Sequence, residues 1–411
     1  MATNHPWLGT PVWPISPDWA DGVLERLEFL TDVHQSPVGA EQRRALRIAP
    51  RRSFEFSVVA EGAERTILDI ALTGVGSYPV LLPLYHDAAD LAVELPPGAT
   101  FLPADTVQRE FRSGLALLQT PVGSGASRMR YEVVMATAGA GGLALANPTR
   151  LHWWPGTRVY PIVRARVVGD VQISRVTSRV SQAQLRFDVI DPLDWSDSFP
   201  GEVRDGRLVW TVAPNERDAL RVDFHRLQSV FDHELGPAQI TDTGTSAWLR
   251  QQYRFTLEGR AERNRFRQLL YSLRGKQRAL WLPTFSDDLI IAQDVALADE
   301  GIYVERCGYT QYITAPGQHA RRDIRIVLHD GRVFHRRIVA ARIEEAADRE
   351  WLGLDITLPT LAAANVQRIE FLAPMRMDQD STELHHITDA DGVAESVVTF
   401  VSAPSLRALG D

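Results

Sequence analysis

Chemistry in this chain would have to come from a few polar clusters. Glu383, His385, His386 and Asp389 are residue types that ligate metal ions, and they fall within one short stretch. Read as a strand, however, that stretch sends His385 and His386 to opposite faces, so one ion could hardly use both. His225, Asp232, His233 and Glu234 form a second cluster, but they lack the two-histidine helical spacing of a zinc protease and read as a turn with solvated charges. Asp287 and Asp288, with Asp87 earlier, could serve as the carboxylate pair of a glycosidase. All three follow apolar strands, where Asp commonly closes a turn on its own backbone. The segments 122–127 and 139–142 contain glycine fragments without the spacing of a dinucleotide or phosphate loop, and they read as flexible loops. Cys307, the single cysteine, has no thiol partner for a disulfide or a thiolate cluster and reads as a small buried hydrophobe. Trp153 and Trp154, followed by Pro155 and Gly156, could form a sugar platform or an anchor between subunits, with packing inside the first half as the blander account. From these residues no catalytic, cofactor-binding or metal role is assigned.

The elements that must position such residues belong to a chain of ordinary globular composition. With 411 residues, 45% hydrophobic and 23% charged, the chain exceeds the size at which one core stops growing, so two or more domains are expected. A net charge of -8 argues against a surface built to grip phosphates, although Arg43, Arg44, Arg47, Arg51 and Arg52 form a local basic run. Lys276 is the only lysine, so arginine carries almost all the positive charge. The start of the chain, with Trp7, Trp13 and Trp19 among prolines, lacks the pattern of a signal peptide, and no later apolar run reaches membrane-spanning length. The expectation is a protein made in the cytoplasm, whose first 19 residues form an arm that docks on a neighbour or packs across its own domain.

Short alternating runs dominate. Residues 54–58, 164–168, 184–189, 253–257, 324–328 and 397–401 each place apolar side chains on one face of a strand. His329, Asp330, Gly331 and Arg332 give a hairpin turn. Residues 261–274 predict a helix, with Phe266, Leu269, Leu270 and Leu273 at helical spacing and Gly275 as the stop. Residues 63–74 fit either a short helix or a strand.

The chain also repeats itself. The segment 80–87 matches 280–287 at an offset of 200, and Phe54 to Phe56 matches Tyr253 to Phe255 at an offset of 199. Tyr160-Pro161 with Ala373-Pro374, and Leu185 to Phe187 with Val398 to Phe400, follow at an offset of 213. The fold class expected is therefore mainly β: a tandem duplicated unit of β-sandwich or β-barrel-like domains with a few short helices. The divisions read as an arm at 1–19, then β-rich units at 20–150 and 151–221 for the first copy and at 222–300 and 301–411 for the second.

The stretch Arg278 to Phe285, preceded by an aromatic strand and a helix, resembles the tail-tip proteins of long-tailed phages and gene transfer agents. Phe371 to Arg376, Asp380 to Leu384 and Asp391 to Glu395 are similar to segments of distal tail and minor tail proteins of the same machines. The resemblance spans most of both copies through short, degenerate motifs, and the chain departs from the smaller members in carrying the unit twice. It implies a structural virion protein at the phage tail tip, synthesised in the host bacterial cytoplasm, that joins the tail tube to the tip or baseplate hub without catalysis. Its implied partners are the tail tube protein, the tape measure protein, the hub proteins and further copies of itself in a ring, a trimer or else a hexamer. No nucleic-acid-specific site and no membrane segment are expected. The alternative is a tail-associated carbohydrate-binding or cell-wall-degrading protein.

Overall fold

The computed structural model describes residues 7, 9–36, 40–76, 78–120, 130–191, 201–217, 219–242, 247–297, 299–313, 320–388 and 392–403. Among these the protein is mainly β, with three α-helices. The alternation seen in the sequence is the cause. On β4 (Arg51–Glu61) the side chains of Arg52, Phe54, Phe56, Val58 and Ala60 are buried while their neighbours lie outward.

In the first half, β1 (Val23–Glu28) pairs with β4, and the hairpin β2 (Thr31–Gln35) and β3 (Glu41–Ala45) lies between them in sequence. Helix α1 (Ala63–Val75) follows, then β5 (Val80–Pro83). A lobe comes next, carrying β6 (Ala89–Asp90), β7 (Phe101–Leu102), β8 (Leu115–Gln119), β9 (Tyr131–Gly139) and β10 (Gly142–Leu145). The chain returns to the base through β11 (Arg158–Val167), β12 (Ile173–Arg175) and β13 (Val180–Val189). A small hairpin, β14 (Val203–Arg204) and β15 (Arg207–Leu208), leads into the second half.

There, β16 (Arg221–His225) pairs with β19 (Trp248–Leu257), and the hairpin β17 (Gln228–Phe231) and β18 (Gln239–Asp242) stands between them. Helix α2 (Gly259–Leu273) and β20 (Leu280–Pro283) complete the same order of parts. A second lobe holds β21 (Gly301–Glu305), helix α3 (Tyr309–Ile313), β22 (Asp323–Leu328), β23 (Val333–Glu344) and β24 (Arg349–Leu354). The chain ends on β25 (Val366–Met377), β26 (Ser381–His386) and β27 (Ala394–Ser402).

The two bases share one pairing scheme. β5 pairs β11, which pairs β13, which pairs β4; β20 pairs β25, which pairs β27, which pairs β19. β12 flanks β13 as β26 flanks β27. The entering chain is matched as well: Val12 bridges Leu81 and Val209 bridges Trp281, both parallel, and the following Trp13 and Trp210 are fully buried. Trp13 meets Phe187 edge-on as Trp210 meets Phe400. The start of the chain thus packs across its own base, and Trp210 already belongs to the second base, ahead of the 222 expected.

Register corrects two of the sequence matches. Gly62 and Gly259, both with positive φ, begin the two helices, so the equivalent of Tyr253 is Phe56 rather than Phe54. Leu185 opposes Phe56 and Val398 opposes Tyr253, which keeps the Leu185 to Val398 match. β11 runs three residues out of the expected frame: Val163 opposes Leu82 as Ala373 opposes Leu282, so Val163 rather than Tyr160 matches Ala373. The drift comes from the inserted lobes, which differ in length.

Four large cores result. One lies under each base, around Phe56, Val58 and Leu185 in the first and Tyr253, Phe255 and Val398 in the second. Each lobe has its own, around Trp153 and Leu118 in one and Ile324 and Leu352 in the other. Each half is thus a base with a lobe inserted after β5 or β20, in place of two β-rich units in succession. The helix expected over 261–274 spans Gly259–Leu273, with Arg274 and Gly275 left-handed at its end. The ambiguous 63–74 stretch is helix α1. No helix among the described residues is long and apolar enough to cross a membrane.

Candidate functional site

The two bases meet edge to edge. β1 of the first pairs along its length with β26 of the second, from Val23 opposite His386 to Glu28 opposite Ser381. Alternation along β1 turns Val23, Glu25 and Leu27 inward, and alternation along β26 turns Thr382, Leu384 and His386 inward. A glutamate and a histidine are thereby carried into the joint, both fully buried.

Three arginines meet them. Arg52 of β4 donates through Nε to Glu25 Oε1 at 2.6 Å and through Nη2 to Glu110 Oε2 at 2.8 Å. Arg267 on α2 donates to Glu25 Oε2 at 2.7 Å and reaches Glu110 Oε2 at 3.4 Å. Arg263, one helical turn earlier, donates to the His86 carbonyl at 2.8 Å and pairs with Asp87. Asp87 in turn accepts the Glu110 N–H at 2.6 Å. Arg52, Arg263 and Arg267 balance Glu25, Asp87 and Glu110, and the six are almost wholly buried. Such a cluster is tolerated only because its charges cancel and hydrogen bonds link its carboxylates to its guanidinium groups.

Two histidines fill the centre. His86, on the short turn Tyr85–Asp87, stacks on His386 with ring centroids 4.0 Å apart and planes 16° apart. His386 Nε2 lies 2.8 Å from Glu25 Oε2, so it carries the proton and donates. His86 Nε2 lies 3.4 Å from Arg267 Nη2, so it is the acceptor. Burial, and the nearby Arg263 and Arg267, hold the His386 imidazole down to about 4, against the pull of Glu25. Burial and the neighbouring His386 likewise hold His86 well below its usual range. Burial opposes ionisation of Glu25, but Arg267 and Arg52 outweigh it and keep that carboxyl well below the usual carboxylate range. The joint is therefore ionised at its rim and neutral at its imidazoles.

Glu25, His86 and His386 offer three ligand atoms within 4.8 Å of one another. Arg267 Nη2 is already 2.7 Å from Glu25 Oε2 and 3.4 Å from His86 Nε2, so a guanidinium fills the place a metal ion would take. The arrangement holds two bases together; it presents no reactive group to solvent.

The other polar residues singled out in the sequence are dispersed. His385 faces away from His386 and bonds the Asp21 carbonyl at 2.8 Å, while Asp389 lies outside the described residues. Asp288 accepts the Phe371 N–H at 2.8 Å and Asp287 the Ile369 N–H at 3.3 Å, so both carboxylates secure β25. Asp87 is spent on Arg263. Glu234 N–H donates to Asp232 at 2.8 Å in an exposed turn, as expected for solvated charges. Residues 139–142 make the tight turn joining β9 to β10 instead of a loose loop, and the segment 122–127 lies outside the described residues. Cys307 is exposed, contrary to expectation. The basic run is divided, with Arg52 in the joint and Arg47 on the Glu28 carboxylate and carbonyl. Trp153 is buried and donates to Glu132 at 3.0 Å, whereas Trp154 stays half exposed against His152.

No family model and no curated protein matches the chain.

Proposed function

We propose that this is a structural virion protein of the phage tail tip, connecting the tail tube to the hub below, and that it works by assembly without turnover. One observation carries the reading. Because β1 joins β26, the bases form one run of eight strands in the order β12, β13, β4, β1, β26, β27, β19, β16. Its outer strands are exposed, as suits a part that is completed by neighbours. The resemblance of segments 278–285 and 371–376 to tail-tip proteins supplies the setting. A reconstruction of the parent particle tests it: density for this fold at the distal end of the tail is the expected result, and its absence from the virion refutes the reading.

Within that setting the ring is a trimer. Three chains present six similar bases to a six-fold tube and keep a true three-fold axis for the hub. Native mass spectrometry of the assembled ring is expected to give three chains; six refute the trimer.

A further inference from the structure

The joint inside the chain has an unfilled counterpart at its two ends. Matching register, β16 stands to the second base as β1 stands to the first: Glu25 opposes Phe54 on β4, and Val222 opposes Gln251 on β19. β12 stands to the first base as β26 stands to the second: Ile173 opposes Ala183 on β13, and Leu384 opposes Ser396 on β27. Within the chain β1 and β26 cover one another. Every residue of β12 and of β16 is exposed, including Ile173 at 37%, Val222 at 36% and Phe224 at 68%.

We propose that β16 of one molecule pairs antiparallel with β12 of a second copy, in the register that β1 and β26 use within the chain. Glu25 opposite Leu384 then becomes Val222 opposite Ile173, and Leu27 opposite Thr382 becomes Phe224 opposite Val171. The apolar pairs lie on one face, and His225 comes opposite Asp170 on the other. The contact between α2 and the turn after β5 is repeated too. Arg263 on Asp87 becomes Arg65, half-buried on α1, on the exposed Asp287 of the neighbour. The pairing is head to tail, so repetition gives a ring when the rotation closes.

The two kinds of joint differ in chemistry. Where the internal one buries Glu25 and His386, the external one buries Val222 and brings in Arg175. The hairpin of β17 and β18 supports the same conclusion. All eight of its strand residues are exposed, with Val230 at 60%, Phe231 at 57% and Ile240 at 59%. A lone two-stranded hairpin is marginal in water. Its counterpart, β2 with β3, is held across the internal joint by Glu41 on Arg376 of β25, at 2.7 and 2.8 Å. Across the external joint the corresponding support is β11 of the next copy.

This inference deepens the self-association in the proposed function, and one experiment separates the two. In the Cys307→Ser background, Val222→Cys with Ile173→Cys places two thiols across an antiparallel pair, at a Cα separation of about 4.5–5.5 Å that a disulfide can span. Mild oxidation of the concentrated protein is expected to give chains linked to one another up to the closed ring. The out-of-face pair Val222→Cys with Gln172→Cys is expected to stay unlinked. Phe224→Lys, on a fully exposed strand of the monomer, is expected to abolish the ring while leaving the melting of the monomer unchanged. A wild-type protein that remains monomeric, or a ring whose chains link equally through both cysteine pairs, overturns the inference. Linked rings from a protein absent from tails sink the tail-tip setting and leave the interface standing; labelled tails without the link do the reverse.

Discussion

At the scale of single residues, the joint shows how a neutral imidazole and an ionised carboxylate coexist out of water. His386 is held down to about 4 and Glu25 well below the carboxylate range, so folding excludes protons from both. In the unfolded chain His386 takes up its proton near its ordinary value of 6.5. Between about 6.5 and 4 the unfolded state therefore binds more protons, and stability falls as the pH falls. Glu25 adds to the loss only at lower pH, as its own folded-state value is approached. Denaturant midpoints are expected to decrease from pH 7 to pH 5. His386→Gln, which keeps a donor for Glu25 but does not titrate, is expected to remove part of that decrease, up to about 2 kcal/mol. A variant with the full wild-type slope would place the titration elsewhere. Arg267→Met leaves Glu25 with one guanidinium and is expected to cost about 3–5 kcal/mol, with partial recovery on adding Glu25→Gln. A double variant no more stable than the single one would count against the charge argument.

At the scale of elements, the anchors of each base are aromatic. Trp281 on β20 is buried and donates through Nε1 to the Arg204 carbonyl at 3.1 Å. Trp281→Ala is expected to cost about 3–5 kcal/mol, read as a lower denaturant midpoint; unchanged melting would show a ring that carries no packing. The strand around Trp281 was legible in the sequence, as were the six alternating runs and the second helix, because period-2 and period-3.6 patterns are local. Register was legible only in part. A strand buries every second residue, so shifting Tyr253 from Phe56 to Phe54 leaves the apolar pattern intact, and only the glycines at the starts of the helices reveal the frame. The joint was not legible at all. Arg263 and Arg267 lie one turn apart on α2, and their partners on β1 and the His86 turn are far away in the chain. The one available signal was the pair of neighbouring Glu-Gly and Ala-Glu-Arg segments, Glu61 to Arg65 and Glu258 to Arg263, which align the helices and set Arg65 beside Arg263.

At the scale of the whole molecule, the joint between β1 and β26 also dictates when the protein can be finished. Glu25 and His386 are 361 residues apart in the chain. At translation rates of roughly 5–20 residues per second, the first base waits about 20–70 s for β26 to leave the ribosome. During that interval Glu25, Arg52 and Glu110 have one another but lack Arg267, and β1 is an uncovered edge, open to whatever strand comes near. A nascent chain arrested before β26 is expected to show β1 accessible to protease, with protection appearing once Ala394–Ser402 has emerged. On polysomes the uncovered β1 of one nascent chain is within reach of β26 from the chain ahead, so exchange of this strand between molecules is the characteristic hazard of its biosynthesis.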